Sequence, residues 1–162
     1  MENLQSSKTS LWQPGAVGVI IVSPDNQWVL LVCEGRFGQH LKIVGGRIHK
    51  KNSTQQVETA LEAATREVHN KTGIEISVDR LEPLFETKFF RKERFAMHSY
   101  FLYRAHAHEV GTAVDPGKHH IAWFAIEYAM RPDPMGQLAW YVSSQFPQAI
   151  HIAVERIRIP ST

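Results

Sequence analysis

The stretch from residue 58 to residue 74, ETALEAATREVHNKTGI, carries the strongest structural signal in the chain. Apolar residues recur there and just before it at spacings of three and four, which is typical of a helix with one apolar face. They are Val57, Ala60, Leu61, Ala64 and Val68. We predict a helix over residues 53–72. Ser53 and Gln56 form a capping-box pattern at its start, and Gly73 suits the left-handed position after its last turn.

Short β-type runs surround this helix along the chain. Ala16–Val22 and Trp28–Val32 flank five turn-forming residues and predict a hairpin. Further strands are predicted at Leu41–Val44, Leu84–Phe90, Phe95–Ala107 and Ile121–Ile126. Gly45-Gly46 marks a point where the backbone turns tightly or approaches something closely. The C-terminal remainder predicts helix, with Pro147 in a first turn between two helical segments. This order of elements predicts an α/β (α+β) fold.

The composition narrows the class of protein. The chain has 162 residues, of which 43% are hydrophobic and 21% charged, so we predict a loose arm over residues 1–14 and a single domain over 15–162. The net charge of only +2 argues against dedicated DNA binding. A lone cysteine, Cys33, cannot form an internal disulfide, and no apolar run has the length of a membrane span. These features predict a cytoplasmic protein with no membrane attachment.

A longer motif runs through the predicted helix. Seven residues separate Glu58 from Arg66, and Arg66-Glu67-Val68 is followed by Gly73-Ile74. The pattern resembles the box of the Nudix hydrolases, G-x5-E-x7-R-E-U-x-E-E-x-G-U, in which U is aliphatic. Other landmarks of that family occur in the same order over roughly residues 16–130. The resemblance implies a Nudix-like α/β/α sandwich with a mixed sheet, in which glutamates of the box hold Mg²⁺ against a substrate diphosphate.

Two departures from the family pattern bear on activity. Asn70 and Lys71 stand where the family has adjacent glutamates, so one helix face offers Glu67 and an ammonium instead of carboxylates. In addition, eleven residues rather than five separate Gly46 from Glu58. The extra residues lie either in the loop before Glu58 or in the helix. In the second case the helix is longer and Asn52 takes the position of the family's first glutamate.

The resemblance implies three sets of site residues. The catalytic candidates are Glu67, Arg66, His119 and His120, because either histidine, in a predicted loop, could deprotonate a water. The candidate ligands of Mg²⁺ or Mn²⁺ are Gly45, Glu58, Glu67 and Asn70. The candidate substrate-binding residues are Arg47, Lys71, Phe90 and Arg91, since aromatic and cationic side chains stack on bases and attract phosphate. Glu62 and Glu86 are further carboxylates that could rebuild a metal site.

Structural explanations compete with several of these assignments. Glu67 with Lys71, and Glu62 with Arg66, are helix pairs that stabilise an exposed helix without any function. Two histidines at predicted positions 106 and 108 of one strand form either a metal site or a solvated face, and Cys33 is expected in the core.

The resemblance leaves two functions open. The first is metal-dependent hydrolysis of a nucleoside diphosphate linked to another moiety. The alternative is a catalytically inactive module that binds a nucleotide or RNA, with Lys71 contacting phosphate directly. Relatives that dimerise make a homodimer an expected arrangement.

Overall fold

A computed structural model of the chain describes residues 15–34, 40–50, 56–91, 94–113, 119–130 and 145–158, with the backbone alone at 34, 40, 89–91, 94, 119 and 145–147. The strands in these ranges are β1 Ala16–Val22, β2 Trp28–Glu34, β3 His40–Arg47, β4 Glu82–Arg91, β5 Arg94–Arg104 and β6 His119–Ala125. The helices are α1 Ala60–Thr72, α2 Ile126–Ala129 and α3 Gln145–Arg158, with a 3-10 turn at Val78–Arg80. No helix among the described residues is long and apolar enough to cross a membrane.

The strands form one mixed sheet in the order β4-β5-β1-β3-β2-β6. β1 runs parallel to β5 and antiparallel to β3, and its last two residues also pair with β2. Through its first half β3 pairs with β2, and through residues 44–47 it pairs with the start of β1. The end of β3 therefore lies beside the beginning of β1, which is where the chain leaves the sheet toward α1.

Hydrophobic clusters cover both faces of the sheet. Val17, Val19 and Ile21 of β1 pack with the apolar face of α1, while Ile20 and Val22 pack with residues of α2 and α3. This alternation follows from the strand period of two, and because both sides carry helices β1 is apolar throughout. The predicted α/β/α sandwich with a mixed sheet is confirmed.

The start of α1 differs from the sequence-based prediction. The helix begins at Ala60 instead of Ser53, which lies outside the described residues, and Val57 is 47% exposed and forms an isolated bridge with Lys50. The N-cap is Thr59, whose hydroxyl accepts from the Glu62 amide while the Glu62 carboxylate accepts from the Thr59 amide. This capping box ends the extended segment and starts the helix. The predicted end is confirmed, because Gly73 has a φ of 72° and caps α1.

Gly45 and Gly46 lie inside β3, so the predicted turn is wrong. The alternative of a close approach is confirmed. A Cβ on Gly45 would overlap the carbonyl of Val17 in the neighbouring strand, and one on Gly46 would overlap the Glu67 carboxylate. The paired glycines let β3 continue where both β1 and α1 come very near its backbone.

The predicted positions of two pairs of histidines are also wrong, although the expected exposure of His106 and His108 is confirmed. β5 ends at Arg104, so His106 and His108 lie in a following turn, where their exposed rings stack with centroids 5.7 Å apart. His119 and His120 belong to β6, where β2 provides backbone pairing, and do not lie in a loop. In the C-terminal helix Pro147 occupies the first turn, as predicted.

Candidate functional site

Arg66 of α1 is the centre of the candidate site. Its Nε lies 3.2 Å from both carboxylate oxygens of Glu58, and its Nη2 lies 2.6 Å from Glu58 Oε1. The other terminal nitrogen, Nη1, donates to Glu67 Oε1 at 2.6 Å, and Nη2 also donates to the Arg47 carbonyl at 2.8 Å. A planar guanidinium is suited to this fork-like set of contacts. The Arg66 side chain thereby links three parts of the chain: the end of β3, the segment that precedes α1, and α1 itself.

Glu58 stands where the family motif places its first glutamate. Besides Arg66, its carboxylate accepts the His49 amide at 2.8 Å, while the Glu58 amide donates to the His49 carbonyl at 2.9 Å. The antiparallel bridge between Lys50 and Val57 lies next to these bonds, so the two segments that contain these residues pair with each other. α1 begins at Ala60, so the additional residues precede the helix in the sequence and do not lengthen it. The longer helix that the alternative required is therefore wrong, and Asn52 itself lies outside the described residues.

Hydrogen bonding fixes the charge of this pair. The hydrogen bond from Arg66 holds the pKa of the Glu58 carboxyl below its ordinary value, with a further contribution from the His49 amide. The bond to Glu58, with a smaller contribution from Glu67, raises the pKa of the Arg66 guanidinium. The Glu58 carboxyl and the Arg66 guanidinium are therefore both charged at neutral pH, and the Glu58 carboxylate is engaged in hydrogen bonds with Arg66.

Glu67 is the retained acidic residue that follows the motif arginine. Its side chain is only 10% exposed, and its carboxylate lies against the backbone of Gly46, where any Cβ would come within 2.5 Å of Oε1. Oε1 accepts from Arg66, and Oε2 lies 3.8 Å from Lys71 Nζ. Glu67 is thus held between a glycine of β3 and two cations.

The residues described do not form a divalent metal site. Two carboxylates, from Glu58 and Glu67, are balanced by Arg66 and Lys71, and Glu58 uses both oxygens on Arg66. Asn70, the remaining side-chain ligand candidate, is exposed on α1. Within the described ranges, no group of three or more His, Cys, Asp or Glu residues is placed to hold a metal ion. Mg²⁺ ordinarily needs several oxygen ligands, and here the Lys71 ammonium lies 3.8 Å from Glu67 Oε2.

The other predicted residues are only partly brought together. Gly45 is buried in β3, and Arg47 is exposed at the end of that strand, next to the Arg66 contact. His120 is exposed on β6, and the His119 side chain lies outside the described residues, as do those of Phe90 and Arg91. Of the two spare carboxylates, Glu62 caps α1 and Glu86 accepts a 3.4 Å hydrogen bond from the Ser99 hydroxyl.

Two parts of the site were not found from the sequence. The role of Gly46 against Glu67 depends on how α1 crosses β3, so the doubled glycine indicated a close approach without naming its partner. The N-cap did carry a signal, because Thr59-Ala60-Leu61-Glu62 fits the capping-box pattern better than Ser53 to Gln56.

Comparisons with known proteins agree with this architecture. The family model described as the NUDIX domain matches residues 12–146. No curated protein sequence matches the chain.

Three solved structures illustrate the likeness in fold. The NUDIX domain of Shewanella oneidensis NrtR, complexed with ADP ribose, has a TM-score of 0.68 and 17% identity, covering 96% of this chain and 97% of that one. The E. coli dihydroneopterin triphosphate pyrophosphohydrolase has a TM-score of 0.62 and 20% identity, with 90% and 97% covered. A C. elegans Ap4A hydrolase in a binary complex has a TM-score of 0.63 and 14% identity, with 90% and 98% covered.

Proposed function

The chain belongs to the Nudix family, and from that premise we propose that it binds a nucleotide-derived ligand through its diphosphate without a divalent metal. The observation that carries this proposal is the Lys71 ammonium 3.8 Å from Glu67 Oε2. The family motif has a glutamate at the position of Lys71. The fixed positive charge of the side chain replaces part of the charge that a bound dication supplies in the family's hydrolases.

Electrostatics supports the replacement of a bound dication by the Lys71 ammonium. Two unit charges 4 Å apart interact by about 1 kcal/mol in water and about 4 kcal/mol at an effective dielectric of 20. A dication near Glu67 would be repelled by Lys71 with twice that energy, and it would also have to compete with Arg66 for Oε1. A phosphate oxygen is attracted to the same ammonium, and the Glu67 carboxylate that faces Lys71 reduces this attraction. Arg47, which follows Gly46 at the end of β3, contacts Arg66 through its backbone carbonyl, and its side chain is exposed.

The ligand class is taken from the family and from one structural relative. The NUDIX domain of NrtR, which shares the fold, is complexed with ADP ribose. ADP-ribose is therefore the first ligand to test, since it contains a nucleoside, a diphosphate and a further moiety.

The experiment is a calorimetric titration of ADP-ribose into the chain with EDTA present. Lys71→Ala is expected to weaken binding roughly 10- to 100-fold, because a charged contact of this kind is worth about 1.5–3 kcal/mol. Arg158→Ala removes an exposed cation from the last turn of α3 and is the matched control. Equal affinity of the wild type and Lys71→Ala would contradict the proposal, as would no binding by the wild type.

Metal-dependent hydrolysis is the second candidate function. One observation favours it: Glu67 keeps the motif position, and Arg66 holds its carboxylate with a 2.6 Å hydrogen bond. Mg²⁺ or Mn²⁺ would then have to draw its other ligands from beyond the described residues. Release of AMP from ADP-ribose with Mg²⁺ or Mn²⁺ present, abolished by Glu67→Gln, would establish hydrolysis in place of the binding function.

A further inference from the structure

A pocket of about 360 Å³ lies at the other end of the sheet from Arg66. Its lining includes Pro24 of the β1–β2 turn, Trp28 of β2, Val110 of the loop after β5, and Trp123 of β6. We call it the tryptophan pocket. Gly46, which lies against Glu67 in the candidate site, pairs with Val17 of β1. The tryptophan pocket touches Ser23, which is six residues beyond Val17 in the chain. At ~3.3 Å per strand residue the two sites are roughly 20 Å apart.

The strand register places both indoles on one face of the sheet. Leu30 pairs with Trp123, and Trp28 pairs with Ala125, so Trp28 and Trp123 are diagonal neighbours on adjacent strands. The Trp123 indole nitrogen donates to the Val110 carbonyl at 2.9 Å, which fixes this ring relative to the loop. Trp28 is 44% exposed and Val110 is 64% exposed. Large apolar surface is therefore open to solvent beside a ring whose polar atom is already bonded.

Two polar side chains of the lining, Glu109 and Ser23, are also engaged, and the His106 ring of the lining stacks on His108. The Glu109 carboxylate accepts from the Tyr103 hydroxyl at 2.6 Å and from the His106 amide at 2.7 Å, and Arg80 lies 3.3 Å from it. The Ser23 hydroxyl donates to Asp25 and accepts from the Trp28 amide. The pocket therefore presents indole faces and aliphatic surface, with no uncompensated charge from these two side chains.

These features point to one class of ligand. Glu109 is already paired with Arg80, which disfavours a cation, and the lining contributed by the described residues includes neither Lys nor Arg to attract a phosphate. A planar ring can stack on an indole face, and the pocket has the volume of a small-molecule site. We propose that the tryptophan pocket binds an uncharged planar aromatic ring of about the size of a purine, independently of the diphosphate site.

The test uses the indole N–H signals of Trp28 and Trp123 in ¹H–¹⁵N spectra of the full chain. Caffeine is the probe, because it is planar and uncharged and has no phosphate. Cyclohexanemethanol is the comparison compound, because it is uncharged and apolar but not planar. We expect saturable shifts of both signals with caffeine at roughly millimolar affinity, and no saturable shift with cyclohexanemethanol. Trp28→Ala should weaken caffeine binding about tenfold, and Trp28→Phe should largely preserve it.

The outcomes separate this pocket from the diphosphate site. Lys71→Ala should leave caffeine binding unchanged, and Trp28→Ala should leave ADP-ribose binding unchanged. The proposal is overturned if caffeine causes no saturable shift, if cyclohexanemethanol binds equally well, or if Trp28→Ala binds caffeine as the wild type does. Shifts that depend on protein concentration alone would also overturn it, because they would identify a second copy of the chain as the occupant.

Discussion

Replacing Lys71 by glutamate should give α1 the metal affinity that the described residues lack. In the wild type the Lys71 ammonium lies 3.8 Å from Glu67 Oε2, and the two side chains are 16% and 10% exposed. Lys71→Glu restores a glutamate at this position of the family motif. It converts an ion pair into two carboxylates one helical turn apart, on the face where Gly46 leaves room for Glu67.

The magnitude follows from Coulomb's law. A unit charge pair at ~4 Å is worth about 1 kcal/mol even at the dielectric of water. The double charge of a metal ion and the reversal from ammonium to carboxylate each double that figure, which gives about 4 kcal/mol in favour of binding. This corresponds to roughly a 1,000-fold change in affinity, and ordering the new side chain reduces it. We therefore expect Lys71→Glu to bind Mn²⁺ at least about 100-fold more tightly than the wild type.

Calorimetric titration of Mn²⁺, checked by the loss of the free Mn²⁺ signal in electron paramagnetic resonance, measures this change. Arg158→Glu makes the same charge reversal in the last turn of α3 and should leave Mn²⁺ binding as in the wild type. Without metal, Lys71→Glu should melt a few degrees lower, because it loses a favourable i,i+4 pair and creates a repulsive one. Micromolar Mn²⁺ binding by the wild type, removed by Glu67→Gln and not improved by Lys71→Glu, would show that Lys71 does not oppose metal binding.

The remaining predictions concern stability. Gly46→Ala should destabilise the fold by about 1–3 kcal/mol in urea unfolding, because its Cβ would overlap the Glu67 carboxylate. In a Glu67→Ala background the same change should cost less, and equal costs in the two backgrounds would rule out the contact. Thr59→Ala should cost about 1 kcal/mol in the same assay, since it removes the N-cap of α1, whereas Thr59→Ser should not. Burial lowers the pKa of His98 from 6.5 to about 4, so between these values the unfolded chain binds more protons than the folded one. The free energy of unfolding should therefore fall by about 2 kcal/mol from pH 7.5 to pH 5. His98→Phe keeps a ring stacked on Tyr100 and should remove most of that loss. If the variant's free energy of unfolding depends on pH as the wild type's does, the burial of His98 is contradicted.

The features that were predicted from sequence are those with strong local signals. The strand Ala16–Val22 has the predicted bounds, because its β-branched residues are followed by turn formers. The end of α1 follows from Gly73, and the pair of Glu67 with Lys71 follows from their spacing of four residues in a helix. The start of α1 was misplaced because Val57 continues the apolar period but forms a bridge with Lys50 instead. A tertiary contact overrides the local pattern there.

The parts of the candidate site that were missed depend on how distant segments pack together. Nothing near Gly46 in the sequence indicates that a carboxylate from α1 will lie on its backbone. Similarly, Trp28 and Trp123 are 95 residues apart in the chain, and only the register of β2 with β6 makes them neighbours. The sequence predicted that Lys71 brings a positive charge to the helix face that carries Glu67. The 2.6 Å contacts of Arg66 with Glu58 and Glu67 could not be predicted, because they depend on the folded structure.

The most direct test of metal-independent binding is a pair of ADP-ribose titrations on the wild-type chain, one in EDTA and one in excess Mg²⁺, each followed by analysis of the nucleotide products. Because Lys71 supplies a fixed positive charge beside Glu67, we expect dissociation constants that agree within about twofold and no release of AMP. Binding that occurs only with Mg²⁺, or AMP formation that Glu67→Gln abolishes, would contradict the account.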